Sequence, residues 1–166
     1  MVRGSLRVGT PPEDGDLVVR SLAEAAWGIY CSAEYAEAHG MPIDPQQLSN
    51  HPLLGFEGFL ADAPAGQWIR EHGAKSLPAG QSNNLVNHLQ AVKAGIGVGA
   101  LPRIEGDSHL DLRICIPDMT GASQTVWLVM RRDARKDKAV SELADLVIAR
   151  VSALKRQFAG SPRSKH

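Results

Sequence analysis

Short apolar runs alternate along the chain with segments in which apolar residues recur every three or four positions. The first pattern is typical of buried strands and the second of amphipathic helices. The runs that predict strands are residues 6–8, 17–19, 27–31, 53–56, 96–101, 110–116 and 126–130. Because the predicted strands and helices alternate, we expect an α/β fold whose sheet is at least partly parallel.

Capping residues mark where the predicted helices begin. Ser32 precedes a helix that continues to about His39, and a Ser-Asn-Asn sequence at residues 82–84 precedes a helix that ends at Gly95. A single apolar stripe predicts a long final helix over residues 140–158. Shorter helical segments are predicted near residues 44–47 and 66–71.

The composition is that of an ordinary soluble globular protein. The 166 residues include 18 Lys and Arg and 18 Asp and Glu, which excludes a histone-like or strongly acidic chain. Residues 1–83 hold 5 basic and 10 acidic residues, and residues 84–166 hold 13 and 8, so the halves carry about −5 and +5. No apolar run approaches the ~20 residues that span a bilayer, and no signal-peptide core follows Met1. We therefore predict a cytoplasmic protein without a membrane partner.

Motifs of nucleotide binding, acyl transfer and metal binding lack their usual context. The glycine pattern at residues 95–100 follows a helix and begins a strand. A dinucleotide-binding motif has the opposite order, because it follows a strand and begins a helix. The glycines therefore predict close packing between helix and strand. Ser152 and Lys155 match an SxxK motif but lie inside the long helix without its companion motifs. The histidines form no paired ligand motif, and Cys31 and Cys115, far apart in apolar runs, predict buried free thiols. We therefore expect that the protein is not an enzyme, has no catalytic residue and binds neither a metal nor a cofactor.

Two polar segments could bind charged ligands. Residues 131–138 are basic, but Asp133 and Asp137 interrupt them and no aromatic residue intervenes, which favours a solvated loop over a nucleic-acid surface. Residues 81–84 bring polar side chains to a helix N-terminus, where they are equally consistent with a receptor for a small anion and with plain capping. For Ser32, at another strand-to-helix junction, simple capping is favoured.

Residues 84–102 (NLVNHLQAVKAGIGVGALP) resemble the helix-then-strand signature of the effector-binding domain of LysR-type transcriptional regulators. Further segments that resemble the family, in the family's order, are residues 6–9 with 11–20, 27–35, 48–56 and 127–132 followed by the long helix. The resemblance covers nearly the whole chain.

The resemblance implies a type II periplasmic-binding-protein-like α/β fold in which residues 1–166 form a partial effector-binding domain. A complete second subdomain is expected at residues 18–102, with residues 5–9 and 110–158 as the remnant of the first subdomain. The N-terminal DNA-binding domain and the first part of subdomain one are expected to be absent. By the resemblance, Ser82, Asn83 and Asn84 line one wall of a cleft between the subdomains, Ser32 lies near that wall, and Arg7, Gly9 and Thr10 lie at the hinge.

The predicted function is therefore to sense a small organic effector, anionic if the polar segment binds it, and so to control transcription. DNA is expected to be contacted only through the absent N-terminal domain. The alternative is a stand-alone small-molecule-binding or dimerising protein without DNA-binding activity. A reduced first subdomain exposes a strand edge and an apolar face, which predicts a homodimer or higher homo-oligomer.

Overall fold

The computed structural model describes residues 4–160, so the two ends of the predicted 1–166 domain lie outside the described residues. Within that range the chain contains both strands and α-helices, as predicted, and the two alternate over most of residues 27–116. In chain order they are β1 (Gly4–Val8), β2 (Leu17–Ala25), β3 (Trp27–Ser32), α1 (Ala33–His39), β4 (Pro52–Phe56), α2 (Phe59–Asp62), α3 (Pro64–His72), β5 (Leu77–Ser82), α4 (Leu85–Lys93), β6 (Val98–Pro102), α5 (Arg103–Gly106), β7 (Leu112–Ile116), β8 (Gln124–Arg131) and α6 (Lys138–Phe158). Short 3-10 helices lie at Pro45–Asn50 and Ala134–Lys136.

The elements form two compact units. Unit 1 consists of the described residues up to Ala25 and from Gln124 onward, and unit 2 is the continuous segment Ala26–Ser123. Each unit has its own sheet, three-stranded in unit 1 and five-stranded in unit 2.

The sheet of unit 1 is antiparallel, in the order β1-β8-β2. The long helix α6 covers it, and Leu22, Leu128, Met130, Ala144 and Val151 form the buried core between helix and sheet. A register shift between Ser21 and Ala23 interrupts the β2–β8 pair, which nevertheless continues to the end of β2, where Ala25 lies opposite Gln124.

The sheet of unit 2 has the order β5-β4-β6-β3-β7 and is mixed. Strand β4 is parallel to β5 and β6, whereas β3 is antiparallel to β6 and β7. Ile29 and Cys31 face one buried cluster and Tyr30 faces another, so β3 is covered on both sides. This explains why residues 27–31 are uniformly apolar rather than alternating. The prediction of a partly parallel sheet is confirmed.

Side-chain caps fix the starts of three helices. The Ser32 hydroxyl accepts a hydrogen bond from the Tyr35 N–H at 3.0 Å and so caps α1. Asn84 caps α4, and Asp137 caps α6. Each cap satisfies an N–H group that has no partner within its own helix.

The glycines at residues 95–100 have the structural role that their context predicts. Gly95 has φ +71°, the left-handed conformation that ends a helix. A Cβ on Gly99 would lie 2.8 Å from both His88 and Val92 of α4, so the absence of a side chain lets helix and strand pack closely. No strand-to-helix phosphate loop is formed here.

Strand β5 and the short helices α2 and α5 were not predicted. Strand β5 lies at the sheet edge and its residues are exposed or half-buried, so it carries no apolar pattern. Helices α2 and α5 have four residues each, too few for a helical period to appear.

The two units are divided differently from the predicted subdomains. Residues 18–25, expected in the second subdomain, pair with β8 in unit 1. Residues 112–116, expected with the first subdomain, pair with β3 in unit 2. Both differences arise because strand pairing joins segments that are distant in sequence. The apolar pattern along one strand does not specify which other strand it pairs with.

Candidate functional site

The carboxyl ends of β4 and β5 lie side by side in unit 2, because the two parallel strands are in register with Phe56 opposite Ser82. The segments that follow them, residues 57–59 and 82–85, meet where α4 begins; we call this region the α4 edge. The Glu57 N–H donates to the Ser82 carbonyl at 3.1 Å and ties the two segments together. The open ends of parallel strands beside a helix N-terminus are a common place for ligands in α/β folds.

Two of the three predicted polar residues at the α4 edge are engaged by their own loop. The Asn84 Oδ1 accepts hydrogen bonds from the N–H groups of Val86 at 2.8 Å and Asn87 at 3.4 Å. The Ser82 hydroxyl donates to the Asn84 carbonyl at 2.8 Å and accepts from the Asn84 N–H at 3.2 Å. Asn84 is therefore a cap, and Ser82 fixes the turn before it.

Asn83 differs from its neighbours. Its side chain is exposed and has no hydrogen-bond partner among residues 4–160. Its Cβ lies 3.8 Å from where a Cβ on Gly58 would stand, so the two segments come close at this point. Gly58 has φ +59°, which glycine adopts without strain. Within the described chain the Leu85 N–H, at the first position of α4, also lacks a partner.

Two further residues of the α4 edge, Phe59 and Glu57, were not among the predicted site residues. Phe59 follows Gly58 and is 75% exposed, an unusual environment for so large an apolar side chain. Glu57 is exposed directly after β4 and adds a carboxylate to the same edge. The only sequence signal for either was the Glu-Gly-Phe tripeptide that interrupts the pattern after a buried strand.

Beneath the α4 edge, one helical turn into α4, lies a buried histidine. The His88 side chain is 0% exposed, and neither ring nitrogen has a hydrogen-bond partner of ordinary geometry among residues 4–160. Its ring lies 4.4 Å from that of Phe56. Burial lowers the pKa of His88 to about 4, and the backbone of Ala100 offsets only part of this effect. The imidazole is therefore neutral at physiological pH.

Ser32 does not lie near the other polar residues. Strand β3 runs antiparallel to β6, and β6 runs parallel to β4, so the carboxyl end of β3 is at the opposite edge of the sheet from Ser82. Ser32 is buried and its hydroxyl caps α1. The expected proximity of Ser32 to residues 82–84 is thus corrected, because strand direction reverses between β3 and β4.

Arg7, Gly9 and Thr10 belong to unit 1. Arg7 lies on β1 opposite Trp127, and its side chain is exposed, as is that of Thr10. The Gly9 N–H donates to the Thr125 carbonyl at 2.9 Å, and its carbonyl accepts from the Trp127 Nε1 at 2.6 Å. With φ +99°, Gly9 turns the chain at the end of β1.

The basic stretch near residues 131–138 is compensated in part by its own acidic residues. Arg131 pairs with Asp133 at 3.1 Å, and this ion pair lowers the pKa of the Asp133 carboxyl. A depression of about 280 Å³ on unit 1 is lined by Asp16 and Asp133 as well as by basic side chains. A larger depression of about 410 Å³ on unit 2, between the Pro45–Asn50 turn and the end of α3, contains none of the predicted site residues.

Within residues 4–160, no group of three or more His, Cys, Asp or Glu side chains is arranged to hold a metal ion. None of the helices in this range is both long enough and apolar enough to cross a bilayer.

Comparison with known proteins identifies the family. The model of the LysR substrate binding domain matches residues 6–152. The chain is 29% identical over 108 residues to the uncharacterized HTH-type transcriptional regulator YhjC of Escherichia coli (strain K12), a match covering 60% of this chain and 34% of that protein. It thus spans about a third of the length of this relative.

Solved structures agree on the fold. The regulatory domain of AphB from Vibrio vulnificus superposes with a TM-score of 0.65 at 22% identity, covering 89% of this chain and 74% of that one. The regulatory domain of CrgA, a LysR-type transcriptional regulator from Neisseria meningitidis, gives a TM-score of 0.68 at 20% identity, with 90% and 76% covered. The periplasmic-binding-protein-like α/β fold predicted from the sequence is confirmed, and the chain belongs to the family of LysR substrate-binding domains.

Proposed function

We propose that this chain senses a small organic effector within a LysR-type transcriptional regulator, and that the effector binds at the α4 edge. The observation that carries the proposal is the exposed Asn83 amide, which has no partner in residues 4–160 and belongs to the residue two positions before Leu85, where α4 begins. A carboxylate placed there accepts hydrogen bonds from the Asn83 amide and the Leu85 N–H, and the partial positive charge of the helix N-terminus favours it. Ser82 and Asn84 hold the loop in position.

The surroundings suggest the character of the effector. Phe59 offers an exposed aromatic face beside the polar groups, which favours a ligand with an apolar or aromatic body. Glu57 adds a negative charge that opposes polyanions such as nucleotides. A small organic acid with a single carboxylate fits both conditions best.

A thermal-shift screen of aliphatic and aromatic monocarboxylic acids tests the proposal, followed by calorimetric titration of the compounds that raise Tm. Asn83→Ala is expected to weaken binding by roughly tenfold, because a hydrogen bond to a charged group contributes about 1.5 kcal/mol. The matched control is Asn50→Ala, which removes an exposed asparagine just before β4, at the other end of that strand. The control should bind as the parent chain does.

Glu57→Gln provides a second variant with the opposite expectation. Removing the carboxylate should strengthen binding of a monocarboxylate and leave binding of an uncharged analogue unchanged. If Asn83→Ala and Glu57→Gln both bind the acid as tightly as the parent, the α4 edge is not the effector site.

The regulatory part of the proposal follows from the family. We propose that the chain acts by binding and not by catalysis, and that DNA is contacted through a separate helix-turn-helix domain of the kind named in its E. coli relative. A cytoplasmic location belongs to the same proposal, because such a regulator works on DNA.

A second copy of this chain is the proposed protein partner. Among the described residues, strand β1 pairs with β8 on one side only, and Leu6 and Val8 on it are 54% and 57% exposed. An open edge with exposed apolar residues favours pairing with another strand. Sedimentation velocity at micromolar concentration should give a dimer or larger species, and Val8→Lys should shift it toward the monomer. A clean monomer of the parent chain would exclude this partner.

A further inference from the structure

Two thiols that are 84 positions apart in sequence meet inside unit 2. Cys31 on β3 and Cys115 on β7 are both free and buried, and their Sγ atoms are 3.5 Å apart. The Cys115 thiol is directed at the Cys31 sulfur. We propose that this pair is a redox site at which a hydroperoxide converts the two thiols into an intrachain disulfide.

The strand geometry brings the pair together. Cys31 lies opposite Arg113 in the β3–β7 ladder, and Ile29 lies opposite Ile116, with a register shift between Ile29 and Tyr30. Cys115 is the residue at this irregularity, so it shares the face of Cys31 and approaches it diagonally. The Sγ–Sγ distance must shorten from 3.5 Å to about 2.05 Å for a disulfide, a change within reach of side-chain rotation.

The thiol pair is better suited to forming a disulfide bond than to binding a metal ion. Zinc and similar ions in structural sites are held by four ligands. In the part of the chain that the structure describes, no third His, Cys, Asp or Glu completes a set with these thiols. Two thiols that are in contact and have no further ligand nearby are suited instead to forming a disulfide bond.

The two thiols are not equivalent, which gives the reaction an order. The S–H of Cys115 and the nearby Arg113 guanidinium hold the pKa of Cys31 below its ordinary value, against the effect of burial. The hydrogen bond to Cys31 and burial raise the pKa of Cys115. Since the thiolate is the nucleophile, Cys31 reacts first and Cys115 resolves the product.

Access is through the sheet edge. Strand β7 is the outermost strand, and its side away from β3 pairs with no other strand of the described chain. Cys115 retains 5% exposure, whereas Cys31 has none. Opening of an interrupted edge strand costs less than global unfolding, so a molecule as small as hydrogen peroxide can reach the sulfurs.

The reaction balances in two steps. The Cys31 thiolate attacks one oxygen of the hydroperoxide, the O–O bond breaks, and Cys31 sulfenic acid forms. The leaving hydroxide or alkoxide takes up the proton that Cys31 lost on ionising and becomes water or an alcohol. The Cys115 sulfur then attacks the Cys31 sulfur, the S–S bond forms, and the S–O bond breaks. The departing hydroxide takes the proton lost by Cys115 and leaves as water. In total the two thiols lose two protons and two electrons, which the hydroperoxide receives.

The test treats the folded, reduced chain with hydrogen peroxide and counts thiols after denaturation. We expect both thiols to disappear together, a tryptic peptide pair linked through Cys31 and Cys115, and recovery of both thiols with dithiothreitol. Because the bond closes a long loop, the oxidised chain should have a Tm higher by roughly 5–15 °C.

The two serine variants distinguish the proposed order from nonspecific oxidation. Cys115→Ser should stop at a sulfenic acid on Cys31 that dimedone captures, whereas Cys31→Ser should react far more slowly. Serine replaces sulfur with little change in size, and circular dichroism of the reduced variants verifies that both are folded. Two thiols that persist in the native chain, or independent oxidation of each to sulfinic acid, would overturn the proposal.

Discussion

Replacing His88 with leucine removes a buried imidazole whose two nitrogens have no hydrogen-bond partner of ordinary geometry in residues 4–160. Burial lowers the pKa of this ring from 6.5 in the unfolded chain to about 4 in the folded one. As the pH falls through 6.5, the unfolded state takes up a proton that the folded state refuses until about pH 4. The parent chain must therefore lose stability across this window.

The size of the loss follows from the pKa difference. At 1.36 kcal/mol per pKa unit, a shift from 6.5 to about 4 corresponds to about 3 kcal/mol of unfolding free energy lost between those pH values. Leucine has no titrating group, so the His88→Leu variant should lack this contribution. At pH 7 the variant should be as stable as the parent or up to about 2 kcal/mol more stable, because no unpaired polar atom is buried at this position.

Urea unfolding at half-unit steps from pH 4 to pH 7 measures both effects. Burial also lowers the pKa of His51, but both proteins contain His51, so the difference between their curves isolates His88. An identical pH slope in the two proteins would refute the assignment of the buried, uncharged ring. A loss of several kcal/mol at pH 7 would show that the imidazole makes polar contacts that the structure lacks.

Three other substitutions test the packing of unit 2 by urea unfolding at pH 7. Asn84→Ala removes the cap of α4 and should cost about 1 kcal/mol. Tyr30→Phe removes a 2.6 Å hydrogen bond from a buried hydroxyl to the Asp107 carboxylate and should cost about 1.5 kcal/mol. Gly99→Ala places a Cβ 2.8 Å from the His88 ring and should cost about 1–3 kcal/mol through overpacking.

Matched controls separate these local effects from general damage. Asn50→Ala and Gly15→Ala alter the same residue types at exposed positions, and a Cβ on Gly15 meets no atom within 4 Å. Both should unfold within about 0.5 kcal/mol of the parent. Equal losses in a control and its test variant would contradict the contact assigned to that residue.

The strands and helices that could be predicted are those whose buried side chains leave a regular apolar pattern in the sequence. Strand β3 is buried on both faces and α6 has a buried stripe, so each leaves a clear apolar pattern. Strand β5 is hydrogen-bonded through its backbone while its side chains remain exposed or half-buried, and nothing in its sequence records that pairing. Pro78 is also untypical of a strand, although proline is tolerated in an edge strand such as β5.

The candidate site was predicted less completely, because it depends on strand direction. Capping residues located the start of α4 and with it Asn84. Ser32 lies away from the start of α4 because β3 runs in the opposite direction to β4. No local sequence pattern indicates the relative direction of two strands. The meeting of Cys31 with Cys115 is non-local in the same way, since it requires the pairing and the irregular register of β3 and β7.

The pairing of Ala25 with Gln124 makes unit 2 a removable insertion. The chain leaves unit 1 at one residue and returns at its hydrogen-bonded neighbour, so residues 26–123 are flanked by ends about 5 Å apart. Segments with adjacent ends tolerate excision and transplantation into other hosts. Unit 2 is therefore a candidate for transfer as a cassette, and a two-residue Asn-Gly turn could close β2 and β8 into a hairpin in its place.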